Sequence, residues 1–155
     1  MINLKKEKAP ATITQYTIKK VKDAEDFPQT KITSSQDAYN VIRQFWHEDI
    51  EVYESMFILL LNRANKTIGW AKISQGGIAG TMCDPKLVMK YAVDSLASGV
   101  ILAHNHPSGN LNPSQADKEV TNKVKNALSL IDSVLFDHLI LTPDSYISMQ
   151  EEGSL

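Results

Sequence analysis

From Met56 to Leu61 the chain is apolar at every position, which predicts a strand buried on both faces. Asn65-Lys66 supplies a turn, and Thr67 to Ile73 reads as the antiparallel partner. Before this hairpin, Ala38, Val41, Ile42, Phe45 and Trp46 recur at helical spacing behind Ser34 and Ser35, either of which can cap the helix. His47 then falls on the last turn beside Glu48 and Asp49 and reads as an exposed helix-end histidine. Further along, Asp84 followed by Pro85 is a cap with a first-turn proline. The helix it opens carries Leu87, Val88, Tyr91, Ala92, Leu96 and Ala97 on one face and is expected to end at Gly99. Val100 to Ala103 is a short buried strand, and Ser114 opens a third helix with Val120, Val124, Ala127, Leu128 and Ile131 at helical spacing. Val134 to Leu141 and Tyr146 to Met149 read as two final strands turned by Pro143-Asp144. Helices and strands interleave, so the predicted class is α/β, a single-domain mixed sheet flanked by helices.

Other segments carry weaker patterns. Residues 1–10 read as a tail, Thr12 to Ile18 as a strand docking the N-terminal arm on the body, and Lys22 to Thr30 as a connector. Gly76-Gly77 and Gly80 make a loop. The chain has 155 residues, 43% hydrophobic and 22% charged, which suits one soluble domain with one core. It lacks an apolar run long enough for a membrane span, and Met1 to Pro10 has no secretory core, so the expected location is cytoplasmic. The single cysteine, Cys83, excludes an internal disulfide and the paired-cysteine zinc and redox motifs; it reads as a loop residue rather than a nucleophile.

The net charge is −2, which argues against a protein whose main task is coating nucleic acid. The charge is uneven, with seven lysines against four acids up to Lys31, or +3, and nine basic residues against fourteen acids from Ile32 onward, or −5. Such a Lys-rich arm suits weak contact with phosphates or with an acidic partner, and otherwise is a solvated terminus.

The segment richest in chemistry runs from Ala103 to Asp117, Ala-His-Asn-His-Pro-Ser-Gly-Asn-Leu-Asn-Pro-Ser-Gln-Ala-Asp. His104 and His106 stand two apart at the end of an extended run, so both imidazoles face one side. The chain breaks through Pro107 and Gly109, where Ser108-Gly109 is turn chemistry, and restarts at Ser114. With Ser114 as N-cap, Asp117 sits at N3, its carboxylate favoured by the helix's positive end. Two histidines and one aspartate make three protein ligands, which leaves the fourth tetrahedral position of Zn²⁺ for water, the arrangement of a catalytic site. Imidazole ligands favour zinc over Mg²⁺ or Ca²⁺. For a base, Glu54 at the mouth of the Met56–Leu61 strand is preferred to Glu51, because a carboxylate entering a buried strand is expensive to desolvate without a task.

Glu54, His104-Asn-His106-Pro and Ser114-x-x-Asp117 together resemble the JAMM signature of MPN (JAB) metallopeptidases, and the wording around the histidines resembles the RadC family within that superfamily. The resemblance covers roughly Thr33 to Leu155, including Asp137-His138-Leu-Ile, and divides the chain into a Lys-rich arm (1–31) and a RadC-like JAB/MPN domain (32–155). It implies a deaminase-like α/β sandwich and a zinc hydrolase that uses metal-activated water on an amide, peptide or isopeptide bond of a peptide or protein substrate. His104, His106 and Asp117 would then be the metal ligands, Glu54 the general acid/base, and Ser114 a hydrogen-bond donor to the oxyanion. Between the histidines the eukaryotic JAMM peptidases carry Ser or Thr, whereas Asn105 stands here, as in RadC. His138 reads as structural rather than as a ligand. The alternative function is a DNA-repair-associated accessory with a metal-binding MPN domain, its arm on phosphates. A zinc nucleobase deaminase needs a Pro-Cys-x-x-Cys pair, which Cys83 alone cannot supply.

Overall fold

The computed structural model describes residues 29–46, 48–76 and 83–155. The predicted arm strand, most of the connector, His47 and the Gly77 and Gly80 positions lie outside the described residues. The elements run α1 (Ser35–Phe45), a 3-10 turn (Glu48–Glu51), β1 (Ser55–Leu61), β2 (Thr67–Gln75), α2 (Pro85–Ser95), β3 (Gly99–Asn105), α3 (Gln115–Ser129), β4 (Val134–Leu141) and β5 (Tyr146–Ser148).

The five strands form one mixed sheet in the order β2-β1-β3-β4-β5. All pairs are antiparallel except β3–β4, which α3 connects as a parallel crossover. β1 and β3 occupy the interior and are buried at every residue, which is why their sequences are continuously apolar rather than alternating. Phe57, Leu59 and Leu61 pack with Ile101, Ala103, Leu139 and Leu141 against α1. Met56, Ile58 and Leu60 pack with Val100, Leu102 and Leu135 against Val88 and Ala92 of α2 and Val124 and Leu128 of α3. The result is a sandwich, α1 on one face and α2 with α3 on the other. Each fully buried Leu or Ile in it contributes about 1.5–3 kcal/mol of burial free energy.

Local chemistry explains the helix ends. Ser34 and Asp37 form a capping box on α1, and Asp84 caps α2 with Pro85 just inside it, as the sequence predicts. The end of α2 differs from expectation. The helix stops at Ser95, because Leu96 takes a left-handed φ of 54° and Ala97 N–H donates to Ala92 O at 2.9 Å, the 6→1 bond of a Schellman-type ending. Leu96 therefore swings out to 76% exposure, and Leu87 and Tyr91 are also exposed; only Val88 and Ala92 of the predicted face are buried. β3 runs two residues past Ala103, so His104 and Asn105 lie within the ladder. Trp46 is core, while Trp70 is partly exposed and stacks on Phe45 with centroids 4.4 Å apart. Among the described residues no helix is long and apolar enough to cross a membrane.

Candidate metal centre

The site lies at the carboxyl end of β3, where that strand hands over to α3, a common position for sites on α/β sheets. Met56 pairs with His104 across the β1–β3 ladder; Glu54 immediately precedes β1, and its charge acts on His106. Paired residues of an antiparallel ladder share a face, so His104 turns with Met56 to the α2/α3 side, where His106 also meets Asp117 of α3.

Each of the three candidate ligand residues is held by a local device. His104 is fully buried in β3. His106 follows the strand, its N–H bonded to Leu141 O at 2.9 Å. Gly109, at φ 80°, turns the chain back, so that Asn110 O meets His106 Nδ1 at 2.5 Å. Asp117 is fixed by a capping box on α3: its N–H donates to Ser114 Oγ at 3.1 Å, and its Oδ2 accepts from Ser114 N–H at 2.6 Å. Among the described residues His104, His106 and Asp117 are the His, Cys, Asp and Glu side chains grouped closely enough that they could hold an ion.

The remaining ligand atoms converge. His104 Nε2 stands 2.9 Å from His106 Nε2 and 3.1 Å from Asp117 Oδ1; His106 Nε2 is 3.5 Å from Asp117 Oδ2. Bonds of 2.0–2.1 Å to a tetrahedral zinc imply ligand-to-ligand edges of roughly 3.3 Å, so the set fits such an ion with little movement. Protonation supports the same conclusion. His106 Nδ1, facing a carbonyl, carries a proton, so in the neutral ring Nε2 is the lone-pair nitrogen turned to the cluster.

Behind His104 stands a residue whose part the sequence did not reveal. His138 is fully buried, its Nε2 2.8 Å from His104 Nδ1 and its Nδ1 2.6 Å from Thr121 Oγ1. Thr121 Oγ1 also lies 2.5 Å from Asp117 O, one helical turn back. A register shift in β4 produces this: Val100 pairs with Leu135 but Ile101 with Asp137, so Phe136 is the extra residue. The bulge puts His138, paired with Leu102, on the α3 face. Thr121 is a polar residue on the stripe Asp117, Thr121, Val124 and Leu128, and that misplaced polarity is the signal that would have found it.

A second buried residue fixes Glu54. Asn105 points to the opposite face from its neighbouring histidines. Its Nδ2 donates to Ile50 O at 2.5 Å and Tyr53 O at 2.8 Å, and its Oδ1 accepts from Ser55 N–H at 2.7 Å. Both peptide neighbours of Glu54 are thereby tied to the strand that bears His104 and His106.

Electrostatics follow from this packing. Burial works to raise Asp117, but hydrogen bonds from His104, His106 and Ser114 outweigh it and hold the carboxyl well below the usual range. His106 is raised, first by its bond to Asp117, then by Asn110 O and the charges of Asp117 and Glu54, against the opposing effect of burial. Burial, aided by the proximity of His104, keeps His138 well below its ordinary value and therefore neutral at pH 7. Glu54 is half-buried and Glu51 exposed. Cys83, pushed up to about 11 by burial and by Asp84, remains a thiol. Ser114 is exposed, and because its hydroxyl accepts in the cap, its own proton is available to donate.

A family model described as the RadC-like JAB domain matches residues 32–154. The chain is 44% identical over 147 residues to a UPF0758 protein of Flavobacterium johnsoniae, covering 94% of this chain and 63% of that relative. It is 43% identical over 125 residues to a UPF0758 protein of Porphyromonas gingivalis, covering 80% of this chain and 54% of the relative. This chain thus spans less than two thirds of the length of these curated relatives.

Proposed function

The chain belongs to the RadC-like JAB domain family, and from that premise we propose that it is a zinc-dependent hydrolase of the JAMM type, acting on an amide, peptide or isopeptide bond of a peptide or protein substrate. The observation that carries this reading is the convergence of His104 Nε2, His106 Nε2 and Asp117 Oδ1 at zinc-like spacing. A zinc ion bound there would supply Lewis acidity and make water nucleophilic near neutral pH.

This chain's own residues account for the rest of the chemistry. Glu54, whose charge reaches His106, takes the proton of the attacking water and returns it to the leaving nitrogen. The Ser114 hydroxyl, free to donate, stabilises the negative oxygen of the tetrahedral intermediate. Asn105 holds the Glu54 segment at a fixed distance from the ligand strand. A cytoplasmic location and a phosphate-contacting role for residues 1–31 are parts of the same proposal.

Metal analysis of the purified chain tests the reading. One equivalent of zinc is expected, lost in His104→Ala. Glu54→Gln is expected to keep zinc and lose turnover across a panel of amide, peptide and isopeptide substrates. Absence of stoichiometric metal from the wild-type chain, after zinc loading, would defeat the reading.

A further inference from the structure

We propose that His138, backed by Thr121, positions His104 for metal by accepting the His104 Nδ1 proton, which keeps the Nε2 lone pair turned into the cluster. The inference rests on the metal reading above and assigns the residue behind the ligand.

The chain of bonds runs His104 Nδ1, His138 Nε2, His138 Nδ1, Thr121 Oγ1 and Asp117 O at 2.8, 2.6 and 2.5 Å. One proton arrangement satisfies all of it, because Asp117 O is a carbonyl and can only accept. Thr121 donates to Asp117 O, His138 Nδ1–H donates to Thr121, and His104 Nδ1–H donates to His138 Nε2. With Nδ1 carrying the proton of the neutral ring, His104 Nε2 is left as a lone pair facing His106 and Asp117. A metal entering the cluster therefore meets an imidazole whose tautomer the network has already set.

His138 can serve because both of its nitrogens are matched, Nδ1–H on the Thr121 oxygen and the Nε2 lone pair on His104 Nδ1–H. Thr121 closes the chain onto the backbone of Asp117, so two of the three ligands are braced by one network. Outer partners of this kind orient a ligating imidazole and raise its basicity, and their loss typically costs about 10- to 100-fold in metal affinity.

The test is zinc affinity of the full chain, measured by competition with a chromophoric chelator, with urea unfolding as the control for folding. His138→Phe removes the acceptor and is expected to weaken zinc by about 10- to 100-fold; His138→Gln, whose amide oxygen reaches the same point, is expected to recover most of that loss. Thr121→Val is expected to weaken zinc and Thr121→Ser to restore it, and this pair carries the test should His138→Phe fail to fold. Nitrogen-15 spectra of the zinc form are expected to show the shared proton on His104 Nδ1. Wild-type affinity in both His138→Phe and Thr121→Val, or His104 bound through Nδ1, would overturn the inference while leaving the metal reading intact. A wild-type chain that binds no zinc would remove both.

Discussion

Asn105 and Ser55, fifty residues apart in sequence, are joined by a buried 2.7 Å bond from the Ser55 amide to the Asn105 side-chain oxygen. The same carboxamide receives no help from solvent: it spends its two N–H groups on Ile50 O and Tyr53 O. Asn105→Ala would leave these backbone groups to be satisfied by rearrangement or not at all. A loss of about 2–4 kcal/mol is expected in urea unfolding, from three bonds that each contribute roughly 1 kcal/mol and more when a partner is left buried and unpaired. Zinc binding should change little, because the ligands are untouched, while turnover should fall as Glu54 is released. A loss below about 0.5 kcal/mol would contradict the clamp.

Much of this arrangement was legible in the sequence. The run from Met56 to Leu61, the Asp84-Pro85 start and the Ser114-x-x-Asp117 cap each follow from local rules, and the structure reproduces them. His104, His106 and Asp117 could be grouped because a strand end and a helix start lie within fourteen residues. His138 and Thr121 could not be grouped this way. Their meeting depends on a one-residue bulge at Phe136 that changes which face His138 occupies, and a period-two reading of β4 cannot see such an insertion. Asn105 escaped for a different reason: its partners are backbone groups of a distant irregular segment, which have no side-chain signature. Leu96 was misplaced because a left-handed helix ending overrides hydrophobic spacing.

Stability of the metal-free chain should depend on pH in two opposed ways. Asp117 is lowered in the folded state, so its contribution is complete above its unfolded pKa of about 3.9 and is lost as pH falls towards the folded value. His106 is raised, so its contribution is complete below about pH 6.5 and is lost as pH rises through the folded value. Asp137, raised by burial despite bonds from Ser148, Gln150 and His138, favours the folded form as it protonates and blunts the acid arm. Urea midpoints measured across this range should be highest between about pH 4 and 6.5. Asp117→Asn should flatten the acid decline and His106→Ala the alkaline one; an unchanged profile in both would refute the assignment.

Metal binding should show the complementary dependence. The ion requires His106 without its second proton, and His106 holds that proton more firmly than a free histidine. Zinc affinity is expected to rise about tenfold per pH unit until the folded His106 pKa is passed, and then level off. Chelator competition from acid to neutral pH measures this, and a flat response would argue that His106 is not a ligand.

Ser114 combines two tasks that substitution can separate. Ser114→Ala removes the acceptor for the Asp117 amide and should cost about 1 kcal/mol. Ser114→Asp restores a capping oxygen but supplies no hydroxyl proton, so stability should return while turnover does not. Recovery of turnover by Ser114→Asp would reduce Ser114 to a cap.

Asp117 divides its carboxylate, with Oδ2 on the Ser114 amide and Oδ1 beside His104. The first turn of α3 is therefore latched by the same group that would answer to a captured ion. Hydrogen exchange at the Ser114 amide should slow when zinc is added, which would give a gauge of occupancy that needs neither a substrate nor a known reaction.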